Sequence, residues 1–280
     1  MRPGAGRPGP GRAPRPWRAR GARTGPGPLG CGPVDLIDGL SVVWNELVGA
    51  QPDPPPLLVL ATAAVALAVV ATRVPWRVAR NAVTIAHEGG HALAALLTGR
   101  KLRGIRLHSD TSGLTLSAGR PTGLGMILTL FAGYVAPTLL GLAGAWLLAG
   151  NRITMLLSVT VVLLLAMLAM IRNVYGALSL LATGGLVFAV SWYAPPQVQA
   201  AFAWTSVWFL LFGGVRPVIE LQRLRSRGRM PESDADQLAR LTPFPPLFWV
   251  GVFLVVCLAG LAVGALLLAG PILTDAGLTV

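Results

Sequence analysis

The chain has 280 residues, 54% of them apolar and only 12% charged, with a formal net charge of +12. A soluble domain carries about twice that charged share, so the composition excludes an ordinary water-soluble globule and makes the bilayer the main solvent. Nucleic acid is not the partner that the positive charge indicates: the basic residues fall in the N-terminal tail and between apolar segments, where membrane topology places them, and no aromatic-rich basic module is present to stack bases.

Residues 1–33 are almost entirely Arg, Pro, Gly and Ala, a mixture that cannot bury a core and predicts disorder. They read as a cytosolic tail, or as a start site placed too early. Residues 34–49 (VDLIDGLSVVWNELVG) predict a short amphipathic helix at the membrane interface, closed by Pro52 and Pro54–Pro56. The expected organisation is thus a tail with an interfacial helix over 1–50, a membrane-embedded body over 51–272 and a short tail over 273–280.

Seven apolar segments follow, at roughly 57–72, 78–98, 124–149, 153–171, 174–193, 198–215 and 246–270. The fold class is therefore an all-α multi-spanning membrane protein of about seven transmembrane helices. The run from 153 to 193 is too long for one crossing at about 1.5 Å of rise per residue, and Arg172-Asn173 is the break. Residues 102–118 (LRGIRLHSDTSGLTLSA) alternate apolar and polar about a Ser109–Gly113 turn, which predicts a β-hairpin. Its edge could pair with an extended peptide by strand addition; an ordinary interfacial loop is the competing reading.

Counting Lys and Arg on alternate sides gives 19 against 4 with the N-terminus inside, or 12 against 4 without the seven arginines of the tail. The expected topology is N-terminus in the cytosol and C-terminus outside. Cys31 and Cys257 match no metal-binding spacing and build no disulfide framework, so cysteine usage identifies no redox compartment.

Chemistry concentrates in the second apolar segment, at His87-Glu88-Gly89-Gly90-His91. Histidines four apart on a helix face one way and can share one zinc ion. Glu88 stands beside them, placed to take a proton from a water on the metal and pass it to the leaving amine. Gly89 and Gly90 are expected to leave room on the helix surface for substrate or water. Two His and a Glu inside an apolar segment are costly in lipid unless they have a function; the competing reading is a polar helix contact satisfied by neighbouring spans.

The helix TIAHEGGHALAALLTGR resembles the catalytic helix of the site-2 protease family of intramembrane zinc metalloproteases, and within it the bacterial site-2-like B-type branch. The resemblance runs from about 78 to 270. It includes the hairpin, Phe131–Pro137 (FAGYVAP), the stretch Ile171-Arg172-Asn173-Val174-Tyr175-Gly176, and Ser233–Trp249 (SDADQLARLTPFPPLFW). It implies a zinc cofactor, a bacterial plasma-membrane location and a membrane-spanning protein substrate, often a signalling regulator.

Better-known members complete the metal site with an Asp of an Asp-Gly pair on a later helix. The only Asp-Gly here is Asp38-Gly39, upstream of the motif. Resemblance of the Ser-Asp-Ala stretch favours Asp234 as third ligand, then Asp236, then Glu220. Against this, Ser233 and Asp236 have nearly the spacing of a capping box, so both acids suit the first turn of a helix.

Elsewhere, Arg172 is expected to snorkel to the inner interface. Asn173 either hydrogen-bonds a substrate backbone or ties helices together. Gly133 and Pro137 imply a kinked, closely packed third span. His108 is expected at the surface, and Trp76, Trp192 and Tyr193 as interfacial anchors. The function expected is intramembrane proteolysis, with Glu88 as general base; a non-hydrolytic binding or transport protein on the same scaffold is the alternative.

Overall fold

The computed structural model describes residues 41, 44, 45, 47–228, 232–270 and 272. The tail over 1–33, most of the helix expected at 34–49, and residues 273–280 lie outside them. Val43–Val280 form one unit, and Ser41 alone of Met1–Val42 is described.

All seven expected apolar segments are helical. The elements in chain order are α1 (Pro56–Ala71), α2 (Arg73–Leu97), β1 (Lys101–Leu107), β2 (Gly113–Ala118), α3 (Leu124–Ala149), α4 (Ile153–Met170), α5 (Val174–Tyr193), α6 (Pro196–Arg225), α7 (Asp234–Leu241) and α8 (Pro246–Leu268). Five of them, α3, α4, α5, α6 and α8, are each long and apolar enough to cross a bilayer. Helices α1 and α2 pass that test only as a pair, bent by 100° at Thr72, whose extended backbone (φ −89°, ψ 151°) both ends α1 and starts α2. The bend is braced from α6. The Arg216 guanidinium donates to the carbonyl of Val70 and lies 4.7 Å from the ring centroid of Trp76. Trp76 is therefore a buried brace packed on Phe209 and not an interfacial anchor, whereas Trp192 and Tyr193 are exposed at the end of α5.

The bend changes the crossing count. Gln51 donates its backbone N–H to the carbonyl of Asn151 at 2.9 Å, and its side chain bonds Thr154 (2.6 Å) and the amide of Ile153 (3.1 Å). The chain entering α1 therefore shares a side with the α3–α4 turn. Thr98, just past α2, lies against Gly125 at the opposite end of α3. Counted as one span, the bent pair α1–α2 brings the candidate crossings among the described residues to six. Residue 51 and the end of α8, where Leu268 packs in one cluster with Val59 and Leu148, lie on the same side. The charge reading had put the chain before the first helix and Arg152 on opposite sides. The physical reason is length: α1 has 16 residues, about 24 Å of rise, short of the roughly 30 Å hydrocarbon core.

Helix α2 stops where a left-handed residue closes it. Gly99 (φ 73°) turns the chain so that its N–H reaches Leu96 O (3.0 Å) and that of Arg100 reaches Ala95 O (2.8 Å), a closure that a side chain at Gly99 would strain. The hairpin begins at once. Strands β1 and β2 are antiparallel, pairing Lys101 with Ala118 and Leu107 with Gly113, with an irregularity between Leu102 and Gly104. At its tip Asp110 accepts from Ser112 N–H (2.9 Å) and Oγ (2.6 Å), which holds its carboxyl below the usual range. His108 is exposed, as expected.

The hairpin is held against the membrane helices by apolar packing and by the α4–α5 break. Ile105 and Leu107 bury among Ile85, Met167, Ile171 and Leu180. The break falls at 171–173, where expected. Ile171 bridges Ile105, Arg172 N–H donates to Ile105 O (2.9 Å), and the Asn173 amide spans Leu107, accepting from its N–H (3.2 Å) and donating to its carbonyl (2.7 Å). Asn173 thus ties a strand rather than a pair of helices, and that use commits both polar atoms of its amide. Arg172 is exposed and turns its guanidinium onto Ala169 O and Ile171 O.

Candidate metal centre

The centre lies where α2, α3 and α7 meet under the hairpin. Helix α3 carries Pro137 in its interior and comes very close to α2. A Cβ at Gly90 would run into Ala136 and sit 2.8 Å from Ala132 O, so Gly90 serves helix packing and leaves no room for substrate. A Cβ at Gly133 would strike the His91 ring and lie 2.8 Å from His87 Cε1. Gly89 faces Met167 Sδ at an ordinary 3.8 Å.

Both histidines present Nε2 to one point, 3.0 Å apart, with their rings nearly perpendicular. His91 Nδ1 lies 2.7 Å from the carbonyl of Thr129. A carbonyl only accepts, so Nδ1 carries the proton and the Nε2 lone pair is left free for a cation. The third group is Asp234, whose Oδ2 lies 3.4 Å from His87 Nε2 and 3.3 Å from His91 Nε2. Tetrahedral zinc, with bonds of about 2.0–2.1 Å, holds its donors about 3.3 Å apart. The separations of 3.0, 3.3 and 3.4 Å fit that ion, as does the two-imidazole, one-carboxylate donor set. Burial pushes the Asp234 carboxyl up, but imidazoles in their protonated form outweigh it by charge and hydrogen bonds and hold it well below the usual range.

Asp236 and Glu220 are engaged elsewhere. Ser233 caps α7, accepting from the Asp236 N–H (3.4 Å) while its hydroxyl donates to Asp236 Oδ2 (2.5 Å). Arg225, from the last turn of α6, forks onto the same carboxylate at 2.7–3.2 Å. Burial raises the Asp236 carboxyl, and Arg225 and Ser233 more than reverse that. Glu220 pairs with Arg216 at 2.8 Å and lies 3.9 Å from Arg80. The two acids of the Ser-Asp-Ala-Asp stretch thus part: Asp236 joins Ser233 at the cap, and Asp234 stands beside the histidines.

Glu88 is buried, with 3% of its surface exposed, and the hairpin covers it. Thr115 Oγ donates to Glu88 Oε2 at 2.6 Å, and Gly113 packs so closely that a Cβ there would strike the carboxylate. No motif marks Thr115; only its alternation in β2 could have pointed to it. Tyr134, inside the FAGYVAP stretch, sets its ring edge-to-face with His87 at 4.8 Å. Arg225 carried no sequence signal beyond its charge.

A family model described as Peptidase M50B-like matches residues 60–264, well over half of the chain. That match covers α2, the hairpin, α3 and α7, so the elements that build the centre lie within it. The curated proteins and the solved structures gave no match.

Proposed function

We propose, since the chain belongs to the Peptidase M50B-like family, that it is a zinc endopeptidase of the bacterial plasma membrane that cuts a peptide bond in or near a membrane-spanning segment of another protein, a signalling regulator being the expected kind. A multi-pass membrane body, its lipid surroundings and the protease class follow from the family and the apolar helices. The observation that carries the finer reading is the fit of three donors, His87, His91 and Asp234, to one tetrahedral ion beside a buried carboxylate.

His87, His91 and Asp234 would hold the zinc. When bound, zinc supplies a Lewis acid that lowers the pKa of water to about 7. The protein's own groups do the rest. The Thr129 carbonyl fixes the His91 tautomer. Glu88, held by Thr115, takes a proton from the attacking water as the water oxygen bonds to the carbonyl carbon. As the C–N bond breaks, Glu88 gives that proton to the leaving nitrogen, yielding a carboxyl and an amine. A substrate helix must unwind to present its peptide bond, because a helical carbonyl is already hydrogen-bonded.

The test compares two variants on purified protein and on a panel of co-expressed single-span segments, each fused between two soluble reporters. Glu88→Gln should keep its zinc and lose cleavage by at least about a hundredfold. Asp234→Ala should lose zinc retention and activity together, whereas loss of a helix cap alone costs only about 1 kcal/mol of stability. Cleavage by Glu88→Gln sinks the protease reading; full zinc in Asp234→Ala removes that residue from the ligand set.

A further inference from the structure

The donors and acceptors around the centre are nearly all committed. Thr115 holds Glu88, the Thr129 carbonyl holds His91, Thr84 donates to Thr111 O, Ser233 and Arg225 hold Asp236, and Asn173 holds Leu107. Hydrolysis nevertheless makes one more demand. The oxygen of the attacked carbonyl gains negative charge, and a neutral or positive donor aimed at it is commonly the largest single contribution to such a reaction.

One phenol is available. The Tyr134 ring is fixed from two directions, stacked on Phe253 (centroids 5.0 Å apart, planes 22° apart) and edge-to-face with His87 (4.8 Å, 89°). The backbone beneath it is fixed too, since its carbonyl accepts from Cys257 Sγ at 3.5 Å. Gly133, its neighbour in sequence, lets this part of α3 come against both imidazoles. The edge-to-face contact with His87 places the tyrosine ring directly beside one imidazole of the centre. Its hydroxyl has no hydrogen-bond partner among the described residues, and it is absent from the fully enclosed unpaired atoms, such as Trp204 Nε1. A fixed ring beside His87, with a hydroxyl neither paired within the described residues nor fully enclosed, is free to meet a partner that arrives with the substrate.

We propose that Tyr134 is a catalytic residue that donates a hydrogen bond to the carbonyl oxygen of the scissile peptide as that oxygen becomes negative. The tyrosine keeps its proton throughout; it neither takes one from water nor delivers one to the leaving nitrogen. The inference rests on the zinc-peptidase reading and adds a role that neither the motif nor the metal donors supply.

Tyr134→Phe removes the hydroxyl and leaves both ring contacts in place. Expected are unchanged zinc content and unchanged KM on the single-span panel, with kcat lower by about 100-fold or more. A second measurement needs no turnover. A short peptide phosphonamidate, whose tetrahedral anion mimics the attacked carbonyl, should bind Tyr134→Phe at least about tenfold more weakly, while a plain carboxylate peptide of the same sequence binds both forms alike. Wild-type kcat and wild-type phosphonamidate affinity in Tyr134→Phe overturn the proposal, as does loss of zinc, which would make the tyrosine a support of the metal donors. Glu88→Gln run alongside separates the two levels. If it is inactive while Tyr134→Phe is fully active, only the tyrosine's role falls; if wild type neither cleaves the panel nor binds the phosphonamidate, the peptidase reading falls and this proposal with it.

Discussion

Adding one methyl group at Gly133 and one at Gly89 should have opposite outcomes, although only Gly89 lies inside the histidine motif. In Gly133→Ala the new Cβ would overlap the His91 ring and sit 2.8 Å from His87 Cε1. Neither ring can easily yield: His91 is pinned through Nδ1 to Thr129 O, and His87 is backed by Tyr134. Overpacking of this kind costs about 1–3 kcal/mol. If the strain is relieved by displacing the imidazoles, zinc affinity falls by roughly 5- to 140-fold, at about 1.4 kcal/mol per factor of ten. Gly89→Ala meets only Met167 Sδ at 3.8 Å, and replacing a mid-helix glycine gains about 0.5–1 kcal/mol of helix stability. Its zinc affinity should be unchanged and its melting temperature equal or higher. Chelator competition on both variants in detergent, with a thermal melt of each, measures these effects. Tight zinc binding in Gly133→Ala together with its loss in Gly89→Ala would refute the packing argument.

Arg225→Met and Asp236→Asn should each weaken zinc retention by about 10- to 100-fold, the usual cost of losing a group that orients a ligand-bearing segment, with His87 and His91 untouched. The Asp236 carboxyl titrates below its ordinary value. The stability it contributes is therefore present above the ordinary value of about 3.9 and is lost as pH falls through the lower folded value. Limited proteolysis between Ser226 and Thr242 should accelerate in that acid window in wild type, and Asp236→Asn should be cut readily at neutral pH as well. For topology, a reporter after Ala269 should lie outside and one near Ser226 in the cytosol. Ala50→Cys in a Cys31→Ser background should be labelled by an impermeant maleimide from the same side as the Ala269 reporter; labelling from the opposite side would break the six-crossing arrangement.

The motif helix, the hairpin and the break at Arg172-Asn173 were legible because each rests on local pattern: i,i+4 spacing, alternation about a turn, and charge in an apolar run. Asp234 is reached only through the resemblance of the Ser-Asp-Ala stretch, not through any local pattern. Its nearest sequence cue, Ser233 before Asp236, describes the cap, and the cap is real; what brings Asp234 to the histidines is the docking of Ala235 and Leu238 among residues of α3, α6 and α8. The bend at Thr72 leaves no local pattern for a related reason. Hydropathy registers that 57–72 and 78–98 are apolar, but Arg216 and Trp76, which brace the corner between them, meet only in three dimensions. The packing role of Gly90 is not legible either, because a motif gives the spacing of residues but not which face of the helix meets a neighbour.

His87 and His91 lie on the first crossing, and Asp234 on a short helix that follows four more helices. During synthesis the imidazoles are in the bilayer while most of the chain is still unmade, and the carboxylate that meets them arrives only once α6 has inserted and α7 has folded back. A half-made chain therefore holds the two imidazoles without the Asp234 carboxylate that meets them or the Arg225–Asp236 pair.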